Sequence, residues 1–444
     1  MMTEHTVGSN SRRWRWESFA GGTILQEDSF RRLWLGRLCS HTALNAVLYT
    51  LLVLAVGNGE SSSIKSALFI TAYLLPTATL GTISGVLVDR LPKHLVLAAI
   101  NVARFGFMLV LIMSSTDNLW TVYGVALLVA ITSQFAAPAE ASALPEVVQS
   151  QQLTSANSAI NLGGLISQVV GFAVLAPMFL NTIGPRPLFF ASAILFAAAA
   201  AFFLTIHTLG DKEVDLDSTV DAVRDVRNQF AEAWQRLTSD VASYMAVIVT
   251  VLASTASLVA VTLMPRFTQE VLDIPVQNAI FVFAPAAIGV VLGLRLVQIL
   301  EKRVRRGWLV GAGFVLVMTS FFSLALVIPL GEVLSGATSM SETAGRIVVT
   351  IVLSSAAAFS YSVLGVSSRS LINERIPIEF QGRVFAAQVV LSNLASIPPI
   401  LLAGVITALV GPQIVLATTM IVLSVVALWA VAQASLRSSA SAHA

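Results

Sequence analysis

The chain has 444 residues, of which 56% are hydrophobic and only 11% are charged, and its mean hydropathy is +0.82. A soluble domain carries roughly 25% charged residues, so this composition excludes an ordinary soluble protein and indicates a membrane protein. The single cysteine, Cys39, excludes a disulfide framework, and a net charge of +2 gives no reason to expect nucleic-acid binding.

Apolar runs long enough to cross a hydrocarbon core of about 30 Å follow one another along the chain. We count twelve, at 33–57, 66–88, 95–114, 119–138, 154–180, 187–207, 241–264, 276–299, 308–330, 345–366, 384–409 and 412–433. Backbone amides in lipid must bond within their own segment, and these runs have the length of helices. The sequence therefore predicts an all-α, polytopic protein of twelve transmembrane helices.

A polar stretch at 208–240 separates the sixth run from the seventh. Apolar residues recur in it at intervals of three and four between charges, which predicts an amphipathic helix along the cytoplasmic surface. These residues are Val220, Val223, Val226, Phe230, Trp234 and Leu237. The predicted organisation is a tail (1–29), a first bundle (30–207), the linker (208–240), a second bundle (241–433) and a second tail (434–444).

Lysine and arginine are distributed unevenly between the two sides of the predicted membrane. If the N-terminus is cytoplasmic, the opposite side carries only Lys65, Arg186, Arg266 and Arg346. The positive-inside rule and the even number of spans then predict a multi-pass inner-membrane protein with both termini in the cytoplasm.

The two halves resemble each other. Gly81-x-x-x-Gly85 closes the second run, Gly289-x-x-x-Gly293 lies in the eighth, and each precedes a basic loop. Glycines four residues apart allow two helix backbones to approach closely. Duplication of a six-span unit is the simplest explanation, and such repeats commonly enclose a substrate site at the midplane.

The pattern Gly85-x-x-x-Asp89-Arg90-x-x-Lys93 between the second and third runs resembles a signature of the major facilitator superfamily. Three further stretches resemble its drug-exporter branch, which includes macrolide and siderophore exporters. They are FRRLWLGRLCSHTA (30–43), AAPAEASALPEVVQSQQLTSANSAI (136–160) and RIPIEFQGRVFAAQVVLSNLASIPP (375–399). The resemblance spans residues 29–433 and implies two six-helix bundles in the major facilitator fold.

The resemblance implies a secondary active transporter that exports a small amphiphilic molecule, such as a drug, a macrolide-like compound or a siderophore, by alternating access coupled to protons. Alternatives are an importer and a sensor or assembly protein on a transporter scaffold. A membrane enzyme is disfavoured because the sequence contains neither His-Glu-x-x-His nor Gly-x-Ser-x-Gly. We expect no catalytic residue, metal or cofactor, and we expect a monomer whose partners are substrate, protons and lipid.

One group of candidate residues forms a conformational gate between the halves. By resemblance, Asp89 faces the N-terminus of span 11, where unpaired amides favour a carboxylate, and Lys93 and Arg90 bridge to Glu140 or Glu379. The alternative is a topology loop with an incidental aspartate. The gate candidates are Gly85, Asp89, Arg90, Lys93, Gly382 and Arg383.

A second group consists of polar residues within the apolar runs. They either line a water-filled cavity or form hydrogen bonds between helices. In the first run they follow one another every four residues, as a stripe on one helix face. The candidates are Arg37, His41, Asn45 and Tyr49 in span 1, Gln134 in span 4, Asn157 and Asn161 in span 5, and Gln388 in span 11.

His41 and Glu140 are the candidate proton carriers, because a histidine titrates near neutral pH and a carboxylate within the membrane is rarely incidental. The alternatives are a structural hydrogen bond for His41, and for Glu140 an ion pair with Arg90 or Arg37. Arg104 needs a partner that the sequence does not identify. Spans 1, 4, 7 and 10 have no carboxylate at mid-span, which favours neutral or anionic substrates over cationic ones.

Overall fold

The computed structural model describes residues 24–57, 62–114, 118–149, 152–206, 232 and 234–442. The predicted amphipathic helix of the linker lies almost entirely outside these residues, apart from a short helical end around Trp234 and Leu237.

The described residues contain twelve helices long and apolar enough to cross a membrane, which confirms the predicted fold class. We number them spans 1 to 12. Their bounds are Asp28–Val56, Ser63–Gly81, Lys93–Met113, Leu119–Val147, Ser155–Thr182, Pro185–Leu204, Val241–Glu270, Val276–Leu300, Arg306–Ala325, Glu342–Arg375, Glu379–Val410 and Pro412–Gln433. The helix of span 2 continues beyond its apolar part, over Ser62–Asp89.

Two features of the spans were not predicted. A separate helix, Val327–Thr338, follows span 9, where the sequence prediction extended the span to residue 330. The apolar run continues past Ala325 without a polar break, so composition alone does not reveal that the helix ends there. Span 5 is α-helical over Leu153–Gln168 and Ala176–Thr182, with a π-helical stretch at Val169–Leu175 between them.

The chain forms two compact units. The first comprises Met1–Thr50, Ser84–Thr121 and Ile131–Thr219. Its core includes Phe30, Leu33, Leu97, Ile160 and Phe203. The ring of Phe203 fills the space beside Gly36, where an added Cβ would lie 2.9 Å from the ring.

The second unit comprises Leu51–Ile83, Val122–Ala130 and Val220–Ala444, so it also contains the first part of the span 2 helix and a short piece of span 4. One of its apolar clusters packs the start of span 7 against the facing ends of spans 10 and 11, through Val247, Ile372 and Val384. A second cluster lies at the other end of span 7, around Phe267 and Leu272.

The second glycine pair packs as predicted. A Cβ at Gly289 would overlap the carbonyl oxygen of Ser355, and one at Gly293 would lie 2.6 Å from the carbonyl oxygen of Phe359. These glycines let span 8 lie directly against span 10.

Among the described residues, a Cβ built at Gly85 meets no atom within 4 Å. Spans 2 and 11 do approach each other closely, but at Gly404, where a Cβ would lie 2.6 Å from Cβ of Ala67 and 3.0 Å from the carbonyl oxygen of Ser63. Ser63 and Gly85 are separated by about 33 Å along the helix, at 1.5 Å per residue. The close approach at Gly404 therefore lies near the opposite end of the span 2 helix from Gly85.

Candidate functional site

A buried ionic cluster joins spans 1 and 4 in the first unit. Glu140 is 7% exposed, and its two carboxylate oxygens lie 3.0 and 3.1 Å from Nε2 of His41. Nε of Arg37 lies 3.3 Å from Oε2 of Glu140, which is an ion pair without a well-aligned hydrogen bond. Arg37 and His41 are one helical turn apart and reach the carboxylate from the same face. The structure thus brings together both candidate proton carriers.

The cluster explains how a carboxylate is tolerated within a membrane-spanning helix. An isolated buried charge costs several kcal/mol, and the cost is offset only when the charge is paired and hydrogen-bonded. Glu140 has one cationic partner at 3.3 Å and one titratable partner at 3.0 Å. The sequence suggested that Glu140 pairs with Arg90 or with Arg37, and the structure contains the contact with Arg37.

Arg104 has partners that sequence reasoning did not identify. It is 2% exposed, and its guanidinium donates to Oγ1 of Thr132 at 3.2 Å, to Oγ of Ser133 at 2.9 Å and to Oγ of Ser40 at 3.2 Å. The guanidinium carbon also lies 5.9 Å from the ring centroid of Phe196. Arg104 therefore connects spans 1, 3, 4 and 6, and its positive charge also acts on Glu140.

The remaining polar residues of span 1 lie beside span 5. Tyr49 is buried, with its ring edge-on to Phe172 and the centroids 6.2 Å apart. Gly171 of span 5 lies directly against span 1. A Cβ added to Gly171 would lie 2.7 Å from Cβ of Asn45 and 2.6 Å from the carbonyl oxygen of Thr42. This part of the stripe is thus packed against a neighbouring helix.

The other candidates of the first unit are more accessible. Asn157 and Asn161 are exposed, and Nδ2 of Asn157 donates to the carbonyl oxygen of Leu153 at 2.9 Å. Gln134 is half-buried.

The gate candidates have local contacts in the structure. Lys93 is 3% exposed, and its Nζ donates to the carbonyl oxygens of Val88 at 2.9 Å and Leu91 at 3.0 Å. These carbonyls belong to the end of the span 2 helix and the residues after it, where backbone acceptors lack helical partners. Lys93 therefore caps this helix end. Arg90 is half-buried, and the side chain of Asp89 lies outside the described part.

The gate candidates on span 11 lie near the linker. Nη1 of Arg383 lies 3.3 Å from Oε2 of Glu232, and its guanidinium lies 5.7 Å from the ring centroid of Phe380. Gly382 is exposed, and a Cβ there would meet no atom of the described residues within 4 Å. The contact with Glu232 connects span 11 to the end of the linker.

Ion pairs join the helix ends of the second unit. Asp240 caps span 7, accepting from the backbone N–H of Ser243 at 2.9 Å and from Nη1 of Arg375 at 3.1 Å. Burial raises the pKa of Asp240, but the hydrogen bonds from Ser243 and the charge of Arg375 outweigh it and hold the pKa below the ordinary 3.8. The pair fixes the start of span 7 beside the end of span 10.

A cavity of about 650 Å³ lies within the second unit. Spans 7, 8, 10 and 11 contribute most of its lining, which includes the candidate Gln388. Ser254 and Tyr361 form a hydrogen bond at 2.9 Å across two of these spans. The volume lies within the range of small-molecule binding sites, about 300–1,000 Å³.

Twelve membrane-spanning helices, a buried ionic cluster and an internal cavity are the architecture of a membrane transporter. The family model described as Major Facilitator Superfamily matches residues 33–398, and the chain belongs to this superfamily. No curated protein matches the sequence.

Solved structures show the same fold at low sequence identity. A mutant of the nucleoside transporter NupG is 12% identical, with a TM-score of 0.64 over 90% of this chain and 98% of that one. A bacterial homolog of the human lysosomal transporter Spinster, inward-facing and unoccupied, is 11% identical, with a TM-score of 0.66 over 92% of this chain and 97% of that one.

Proposed function

We propose that this chain is a secondary active transporter that exports a small amphiphilic molecule in exchange for protons, by alternating access. The observation that carries the proposal is the buried contact of His41 and Glu140, with Arg37 beside it. A carboxylate and an imidazole in direct contact offer two sites for one proton within the membrane-spanning part of the chain.

The charge balance of the cluster supports coupling. Arg37 and ionised Glu140 neutralise each other when His41 is neutral, so one added proton raises the net charge of these three residues from zero to +1, beside the further positive charge of Arg104. A net charge is costly in a region of low dielectric constant and less costly when water reaches it. Protonation thus favours a conformation in which the cluster is hydrated. A proton-driven transporter requires such a dependence of its conformation on protonation.

The outward direction is supported by the resemblance to exporters. Arg37 and His41 lie in the stretch 30–43, and Glu140 lies in the stretch 136–160. Two of the three exporter-like stretches thus meet at the ionic cluster. The proposal places the transporter in the inner membrane as a monomer, with both termini in the cytoplasm.

The coupling is tested with purified protein in proteoliposomes filled with a pH-sensitive dye. A macrolide, a siderophore or an amphiphilic carboxylic acid is added, and the proton flux is compared with that of protein-free liposomes. We expect a substrate-dependent flux for the wild type, its loss in Glu140→Gln and His41→Gln, and its retention in Glu342→Gln. Glu342 is a matched control because it pairs with Arg346 and is exposed. Substrate transport without proton flux, or an unchanged Glu140→Gln, would contradict proton coupling.

The direction is tested by accumulation of the transported compound in cells. Cells that express the wild type should retain less compound than cells that express Glu140→Gln, and a protonophore should remove the difference. Greater accumulation with the wild type would identify an importer.

A further inference from the structure

The cavity of the second unit is polar at one end. Thr250 and Ser254 come from the first half of span 7, Gln388 from the beginning of span 11, and Arg369 lies six residues before the end of span 10, or about 9 Å along the helix. These helix ends lie side by side, because Asp240 at the start of span 7 is bonded to Arg375 at the end of span 10.

The opposite end of the cavity is mostly apolar, with Ser354 of span 10 as a polar exception. It is lined by Met264 and Phe267 from the second half of span 7, by Phe283 from span 8 and by Leu416 from span 12. The lining therefore changes along the helix axes from hydroxyl, amide and guanidinium groups to aliphatic and aromatic groups. A ligand complementary to this surface is itself polar at one end and apolar at the other.

The polar end carries a positive charge. Among the described residues that line the cavity, Arg369 alone is charged at neutral pH, and none is acidic. No carboxylate in the described part lies within 4 Å of the Arg369 side chain, whose guanidinium instead lies 5.5 Å from the ring centroid of Phe385. The side chain of Arg369 is exposed, so a guanidinium without an anionic partner among the described residues is accessible here to an anion.

Gln388 adds an unsatisfied polar group to the same end of the cavity. Its Oε1 atom is buried and has no hydrogen-bond partner among the described residues. Most buried polar atoms in proteins are hydrogen-bonded, and an unpartnered amide oxygen beside a cavity can accept a hydrogen bond from a hydroxyl or N–H group of a ligand, though not from an ionised acidic group.

From these observations we infer that the cavity binds an amphiphilic anion, with its acidic group on Arg369 and its apolar body against Phe267, Phe283 and Met264. The inference rests on the proposed transport function, for which it specifies the chemical class of the substrate. Cationic amphiphiles are disfavoured because the described lining offers them no carboxylate.

The inference is tested by equilibrium binding to the purified protein in nanodiscs, with empty nanodiscs as the reference. The probes are dansyl-aminoundecanoic acid, its methyl ester and dansyl-aminoundecylamine, which share one apolar body and differ in the charge of the end group. We expect the wild type to bind the acid about 10- to 100-fold more tightly than the ester, since hydrogen bonds to charged groups contribute about 1.5–3 kcal/mol. The amine should bind more weakly than the ester.

Substitutions assign the preference to Arg369. Arg369→Gln should reduce the difference between acid and ester to less than about twofold, whereas Arg369→Lys should retain most of it because the positive charge remains. Arg295→Gln is the matched control, because Arg295 lies in span 8 outside the lining of the cavity, and it should bind as the wild type does.

Two results of the binding experiment would overturn the inference. One is equal binding of the acid and the ester by the wild type, and the other is an unchanged preference in Arg369→Gln. Binding is measured without a proton gradient, so it is independent of the proposed transport function. A protein that binds the acid at Arg369 but moves no proton contradicts only that function, and proton-coupled transport restricted to neutral or cationic compounds contradicts only the inference.

Discussion

Nε2 of His41 lies within 3.1 Å of both carboxylate oxygens of Glu140, although the two residues are 99 positions apart in the chain. Arg37, one turn from His41, provides the permanent positive charge. The stability of the cluster therefore depends on a cation that does not itself titrate near neutral pH.

Removal of this cation should destabilise the protein. We expect Arg37→Met to lower the free energy of unfolding by about 2 kcal/mol or more, because it leaves a buried carboxylate with His41 as its remaining partner in the cluster. Thermal unfolding of the detergent-purified protein measures the loss. Arg31→Met is the control on the same helix, since the pair of Arg31 with Asp28 is exposed and should contribute less than about 1 kcal/mol. An equal effect of both substitutions would contradict a structural role for Arg37.

The two glycine motifs should respond differently to alanine. Gly289→Ala forces a methyl group onto the Ser355 carbonyl and should destabilise the protein by about 1–3 kcal/mol, whereas the methyl of Gly85→Ala meets no atom of the described residues and should be neutral or slightly stabilising. Thermal unfolding compares them. A large loss in Gly85→Ala would show that this glycine is packed after all. Transport measurements on the same variant test the gate, because a close approach that occurs only in another conformation would slow transport without affecting stability.

The close approach at Gly404 predicts a compensating pair. Gly404→Ala should destabilise the protein by about 1–3 kcal/mol, because the new methyl would lie 2.6 Å from Cβ of Ala67. Ala67→Gly removes that atom, so the double variant should be more stable than the sum of the single effects predicts. Unfolding of the wild type, both single variants and the double variant gives the coupling energy. Strict additivity would mean that the two positions do not touch.

The cap at Asp240 should make stability depend on pH. Its pKa in the folded protein is below the ordinary 3.8, so the carboxylate stabilises the fold above that pH, and the contribution is lost as the pH falls below it. At pH 7, Asp240→Ala should cost about 1 kcal/mol, and Asp240→Asn less because the amide still caps the helix. Melting temperatures at neutral pH and at decreasing acidic pH measure the difference, which should shrink on acidification. Asp28→Ala, at an exposed carboxylate, is the control. A difference that grows in acid would contradict the assigned direction.

The number and the type of the spans could be predicted from the sequence because hydropathy acts over whole segments of about 20 residues. The ends of span 9 and of the helix at Val327–Thr338 could not, because the apolar run continues through the break between them. Helix breaks within apolar sequence depend on local packing, which composition does not record.

The site was predictable in part. His41 and Glu140 could each be recognised as titratable residues within apolar spans, but their contact depends on how spans 1 and 4 are rotated about their axes. The partners of Arg104 could not be predicted from the sequence, because serine and threonine hydroxyls occur throughout the spans and nothing in the sequence distinguishes Ser40, Thr132 and Ser133, which accept from it. The cavity and its charge at Arg369 emerge only when spans 7, 10 and 11 are assembled.

The π-helical stretch in span 5 changes which residues share a face of this helix. Each π turn closes its hydrogen bond over five residues and not four, so it holds an extra residue and shifts the angular phase of everything that follows. Residues before Val169, such as Asn161, and residues after Leu175 therefore cannot be assigned to one helix face by counting in steps of 3.6 residues. The 3.6-residue spacing therefore identifies the residues of one polar face only from the start of span 5 to Gln168. After the π-helical stretch, the same spacing identifies residues on a different side of the helix.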